Sequence, residues 1–174
     1  MINDDDTPDP YHLPDDDGHP ANIAARLMRN PAHAHLADNE VSFGWLMRAF
    51  PKDKGGKTEM GSVHAVKNMA QGAFKDLFSM MLERLLGALP DYVIVIDAAF
   101  WAQASAFQRE ALVWHELAHV RQLLDKYGAP RFDKDGLPVF GLVDHDITAF
   151  NSEVAKFGAW HDDIRSFIDA ARSA

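Results

Sequence analysis

The run 111-ALVWHELAHV-120 is apolar except for His115, Glu116 and His119, and that mixture constrains the fold more than any other stretch. Burying a polar side chain without a partner costs roughly 1–3 kcal/mol, and an ionised one costs more. The segment must therefore face a wet cleft or bring its polar groups to something in the interior that satisfies them. Ser105 with Gln108 three residues later is a capping-box pattern, which predicts a helix starting just after Ser105. That helix is expected to continue to about Tyr127, with Gly128 as its stop and Pro130 beyond.

Side chains four apart on a helix share a face, so His115 and His119 can turn their ring nitrogens toward one ion. Glu116 sits a further ~100° round the helix, beside such an ion rather than in the chelate. Zinc lowers the pKa of a water to roughly 7, and a neighbouring carboxylate can then take its proton. The expected cofactor is Zn2+, and the reaction class is attack of activated water on an amide. Without a metal, the same histidines would be core side chains bonded to carbonyls, with Glu116 at the surface.

Zinc in a catalytic site takes three protein ligands and leaves a fourth position for water. The chain has no cysteine, so the third ligand is a histidine or a carboxylate. In 144-DHDITAFNSEV-154, His145 stands at the expected start of a last helix and Glu153 two turns later; His145 ranks first and Glu153 second. Asp144 and Asp146 are candidates to orient a ligand histidine through its far nitrogen. Asp97, at the end of a strand, is a weaker one. His33 and His35 are expected to be exposed, His64 and His161 could approach the cleft, and Arg121 is read as a surface charge on the motif helix.

Around this centre the chain reads as α+β. Short helical spacing covers Asn22 to about Asn30, and 41-VSFGWLMRAF-50 alternates as a strand, although Leu46 and Phe50 break the alternation. The turn 51-PKDKGGK-57 suggests a hairpin returning through 58-TEMGSVHAV-66. Residues 69–88 carry apolar side chains at helical spacing, 92-YVIVI-96 reads as a buried strand, and a final helix is expected from Asp144 to about Arg172, bent at Gly158. No internal repeat is expected.

The net charge of −9 is concentrated in the first 18 residues, which hold seven aspartates and no Lys or Arg; the remainder carries only −2. Residues 1–20 are thus expected to form a disordered acidic tail ahead of one domain at 21–174. The near-neutral body lacks the basic footprint of a nucleic-acid binder. No apolar run approaches the ~20 residues a membrane span needs, and no secretory leader is read after Met1. The expectation is a cytoplasmic protein, with oligomeric state left open.

The stretches 92-YVIVIDAAFW-101, 107-FQREALVWHELAHV-120 and 142-LVDHDITAFNSEVAKFGAW-160 resemble the phage metallopeptidase family. The resemblance spans about residues 35–165, and 54-KGGK-57 with the strand after it fits the upstream part. More distantly the chain is similar to SprT-like zinc proteases, whose third histidine opens a His-Gly-x-x-Phe run. Here Asp146 replaces that glycine and Phe150 falls one residue later. The resemblance implies a zincin-like α+β fold: a small sheet packed on the motif helix, with a further C-terminal helix completing the site. It implies a phage-encoded zinc metallopeptidase acting on a protein or peptide in the host cytoplasm, with His115, His119 and His145 on the metal and Glu116 catalytic. The alternative is a non-enzymatic phage binding or inhibitor protein with a structural metal and an acidic interaction tail.

Overall fold

The computed structural model describes residues 8–174 apart from 17, 55, 148–150 and 160–161, and the side chains of 54 and 151–153. It gathers into two compact units, Met1–Leu142 and Val143–Ala174.

The first unit is built on β6 (Tyr92–Asp97), whose six residues are all buried. β2 (Phe43–Arg48) lies parallel to it on one side and β5 (Gly61–Ala65) antiparallel on the other. β1 (Tyr11–His12) pairs antiparallel with Met47 and Arg48, giving the order β1-β2-β6-β5. The disorder expected of the acidic segment therefore does not extend to Tyr11 and His12. The sheet is mixed and covered on both faces. Trp45 and Met47 of β2 enter one core while Leu46 enters the other, so the break in alternation at Leu46 marks a strand that is apolar on both sides.

The expected hairpin is not the one that forms. The 51–57 turn closes only the short pair β3 (Asp53–Lys54) and β4 (Lys57–Thr58). The chain then crosses to the far edge of β6 and runs as β5. A continuous apolar strand such as β6 offers two pairing edges, and turn composition alone does not say which edge a neighbour takes.

One face of the sheet is covered by α1 (Pro20–Leu27), α2 (Ala34–Asp38), α4 (Ala98–Gln103) and α5 (Ala106–Ala118), which contribute Leu27, Leu36, Trp101, Leu112, Val113 and Leu117 to the larger core. The other face is covered by α3 (Phe74–Leu86) through Leu82, Phe78 and Leu86. α1 starts two residues ahead of the expected Asn22, with Pro20 at the first helical position and the His19 ring accepting from the Ala21 N–H. α3 ends on Gly87 at φ 81°, a left-handed stop that glycine adopts without a Cβ penalty.

α5 is shorter than its apolar pattern suggested. It stops at Ala118, and Val120 opens β7 (Val120–Gln122), paired antiparallel with β8 (Phe140–Leu142) in the register Val120↔Leu142. The competing structure is a strand partner some 20 residues downstream, which local periodicity does not sample. Between β7 and β8 the chain makes two like turns from a repeat visible as 125-DKYGAP-130 and 133-DKDGLP-138. In each, the aspartate Oδ1 accepts the N–H groups two and four residues on, and Gly128 and Gly136 sit at φ 82° and 81°. The N–H of Leu123 donates to the Val139 carbonyl, that of Val139 to Arg131 and that of Arg131 back to Leu123, closing a ring of three hydrogen bonds.

The second unit holds α6 (Asn151–Phe157) and α7 (Asp162–Arg172), with Gly158 between them at φ 65°. The single helix expected from Asp144 is thus two helices, and residues 143–147 are not helical. Only Ile164 of α7 is buried.

Candidate metal centre

α5 is held at its start by the full capping box: the Ser105 Oγ accepts from the Gln108 N–H, and the Gln108 side chain accepts from the Ser105 N–H. Leu112, Val113 and Leu117 fix its inner face in the core. His115 and His119 project from the last turn, with His115 exposed and His119 half-buried. Their Nε2 atoms lie 3.3 Å apart, with ring centroids at 4.9 Å and planes at 84°.

That spacing is a test of fit for a metal. Two nitrogens at the usual ~2.05 Å from a tetrahedral zinc are separated by about 3.4 Å. The two rings already hold the separation one ion would require, His115 from the last turn of α5 and His119 from its C-cap. The pair is consistent with coordination of a single metal ion.

Glu116 takes a different direction from its neighbour. It is only 3% exposed, and its carboxylate lies against Gly61 of the edge strand β5, where a Cβ would fall 2.6 Å from Oε1. Burial, with the nearby negative charge of Glu59 adding to it, pushes its pKa up to about 7. A base poised near neutrality is suited to shuttle a proton at physiological pH. Glu59 is itself tied to Arg48 at 3.0 Å and to Lys52 at 3.2 Å. Although burial opposes it, those two cations hold its pKa below the usual carboxylate range.

The supporting residues sort differently from the sequence reading. His33 is buried rather than exposed, packed edge-on against Trp114 at 4.3 Å, and neither ring nitrogen has a hydrogen-bond partner among the described residues. Burial, then the charges of His35 and Arg121, lower its pKa. His35 shares a hydrogen bond with the Val120 carbonyl at 3.2 Å, fastening α2 to the first residue after His119. Arg121 lies on β7, not on the helix, and its Nε donates to the Ala118 carbonyl at the end of α5. His64 is half-buried on β5 and bonded to Ser62. Asp97 caps α4 by accepting from the Phe100 N–H and stands 3.7 Å from Arg48, so its place is structural.

His145 lies in the non-helical stretch after β8 and is exposed, as are Asp144 and Asp146. Glu153 is in α6, but its side chain and the whole of His161 lie outside the described residues. Gly61 and Glu59 were not singled out from the sequence; their approach to Glu116 spans about 55 residues of chain and has no local signature. A cavity of about 890 Å³ is walled by Asp38, Val66, Lys75, Asp91, Asp133 and Phe140 among others and includes none of the motif residues. It is not the chemical centre.

An α+β unit whose mixed sheet supports a helix bearing His-Glu-x-x-His, with the histidine nitrogens at a metal's bite, defines a metallohydrolase of the zincin-like kind. The family described as "Putative phage metallopeptidase" matches residues 17–172, and the chain belongs to that family. No curated protein and no solved structure matches it. The His115-Glu116-x-x-His119…His145 motif is therefore that of a metallopeptidase, a hydrolase.

Proposed function

We propose that the protein is a zinc peptidase that cleaves amide bonds in a protein or peptide, with His115, His119 and His145 holding the ion and Glu116 as the base. The observation that carries this reading is the 3.3 Å separation of the His115 and His119 nitrogens beside a buried carboxylate with a pKa of about 7. When bound, zinc would polarise the scissile carbonyl and acidify the attacking water. Glu116 takes the proton of that water and delivers it to the leaving amine. Its seat against Gly61 keeps the carboxylate dry, which raises its basicity, and keeps it out of the ligand set.

Leu142 pairs with Val120, the residue after His119, and three residues span at most about 10 Å. His145 follows Leu142 by three residues, offers one ring nitrogen as a donor, and is an exposed residue whose side chain has no core position to give up. A protein substrate is supported by the arm between β7 and β8, which leads directly from His119 and displays Leu124, Tyr127, Phe132 and Leu137 to solvent. Loops on a rigid scaffold commonly carry such contacts. The catalytic body is taken as 21–174, with the acidic segment outside it, and its action as cytoplasmic in the infected host. Family membership and a chain without cysteine support that placement. No helix among the described residues is long and apolar enough to cross a membrane.

The test is cleavage of casein or a peptide library by the zinc-loaded protein and its Glu116→Gln variant. Zinc-dependent cleavage that disappears with Glu116→Gln is expected. Bound zinc with no cleavage that depends on Glu116 would leave a metal protein and remove the peptidase.

A further inference from the structure

Beside the histidine pair, α5 forms one wall of a further cavity of about 430 Å³, within the roughly 300–1,000 Å³ usual for ligand pockets. Trp114 and Ala118 of α5, His33 and His35 at the start of α2, and Arg121 and Gln122 of β7 line it. Three of these side chains are basic, and among the described residues no carboxylate lines the cavity, in a chain whose net charge is −9. Arg121 carries a permanent charge, and its Nε is anchored at the wall by donating to the Ala118 carbonyl. His35 is anchored there by its bond to the Val120 carbonyl. The wall therefore suits an anion with an apolar stem that lies against the Trp114 ring.

His33 is a second and separate sign of a ligand. It is buried with both ring nitrogens unpartnered among the described residues, an arrangement that costs stability and calls for a reason. Trp114 lies over the ring and is itself 37% exposed at the cavity.

The position of the cavity relates it to the chemistry. At 100° per residue, Glu116, the His115–His119 pair and the Trp114–Ala118 wall follow one another round α5 in steps of about 80° and 100°. The base and the cavity thus flank the histidine pair on opposite sides. With side chains reaching a radius of about 5–6 Å, the 100° step is an arc of roughly 9–10 Å, or about three residues of extended chain.

We propose that this cavity is a specificity subsite that takes a carboxylate of the polypeptide substrate, about three residues from the bond that is cleaved. Arg121 supplies the charge and Trp114 the apolar wall, and a carboxylate that turns the indole aside accepts the N–H of His33. The place of the subsite in cleavage rests on the peptidase reading, whereas binding of the carboxylate does not.

The test uses eight-residue Ala/Gly peptides, N-acetylated and C-amidated, with one Asp at each position in turn, and their Asn and Lys counterparts. A neutral peptide with a free C-terminus distinguishes a terminal carboxylate from a side-chain one. Binding of fluorescently labelled peptides to the zinc-loaded full chain carrying Glu116→Gln is read by anisotropy. Carboxylate peptides are expected to bind about tenfold or more tighter than the amides, and Arg121→Gln to abolish that difference. Ala32→Glu places an acid at an exposed position of the same wall, so the test stands if Arg121→Gln compromises folding; it should turn the preference toward the Lys peptides. With the wild type, cleavage should fall about three residues from the preferred carboxylate. Equal binding of Asp and Asn peptides would overturn the proposal, as would a carboxylate preference that survives both Arg121→Gln and Ala32→Glu, which would put the carboxylate on the metal. Selective binding without cleavage of any peptide would uphold the anion site and count against the peptidase reading alone.

Discussion

Gly61→Ala is the perturbation that most sharply separates a positioned carboxylate from a merely buried one. The added Cβ would lie 2.6 Å from Oε1 of Glu116, and 3.1 Å from its Cδ and from Leu112 Cδ1. Ordinary contact begins near 3.5 Å, so the carboxylate must retreat by about 0.9 Å or the strand must yield. Overpacking of this kind costs about 1–3 kcal/mol of stability. A misplacement of about 1 Å in a reacting group can cost on the order of 100-fold in rate. The expected outcome is therefore a kcat reduced about 10- to 100-fold, a much smaller change in KM, and an unchanged zinc content, because His115 and His119 are not touched. Shortening the side chain in the same background, Gly61→Ala with Glu116→Asp, draws the carboxylate back from the new methyl group and should recover stability lost to Gly61→Ala alone. Steady-state cleavage of a fluorogenic peptide, with zinc measured on the same samples, reads the effect. Wild-type kcat in Gly61→Ala would refute the inference that this contact sets the position of the base.

Other expectations are more local. Ser105→Ala removes one half of the capping box and should lower stability by about 1 kcal/mol, seen as a lower Tm, while zinc binding survives. In the metal-free protein, the Glu116 carboxyl has a folded pKa of about 7 against an ordinary 4.5, so the folded state keeps a proton that the unfolded state releases. The stability this provides is complete below pH 4.5 and is lost as pH rises through 7, amounting to about 3 kcal/mol. Urea unfolding of chelator-treated protein should show that fall, and Glu116→Gln should flatten it; an unchanged slope would assign it elsewhere. His33→Phe keeps the ring packing on Trp114 and removes two buried nitrogens that have no partner among the described residues, so Tm should be unchanged or raised, whereas a loss of several degrees would mean the nitrogens are satisfied.

The parts of this architecture legible in the sequence are those decided within a few residues. The Ser105–Gln108 box, the apolar run of β6, the helical spacing of α3 and the four-residue spacing of His115 and His119 all depend on local chain geometry. What escaped depends on distant partners. α5 stops at Ala118 because Val120 pairs with Leu142, and β5 joins the free edge of β6 rather than β2. His33 is buried because Trp114 lies over it, although its own neighbours are polar. The Asp-Lys-x-Gly-x-Pro repeat at eight-residue spacing was present in the letters, yet it matches neither a helical nor a strand period. The metal centre divides in the same way: the ligand pair and base are written in one helix turn, while the seat of the base at Gly61 is supplied by another strand.

The central claim is that one zinc ion is held by imidazoles from the motif helix and from the segment after β8, with Glu116 outside the ligand set. Zinc stoichiometry and affinity, measured on the wild type and on single alanine variants at 115, 119 and 145 alongside Glu116→Gln, address it most directly. One ion per chain in the wild type and in Glu116→Gln, with affinity lost in each histidine variant, is the predicted result. Full occupancy in His115→Ala or His119→Ala would contradict the account.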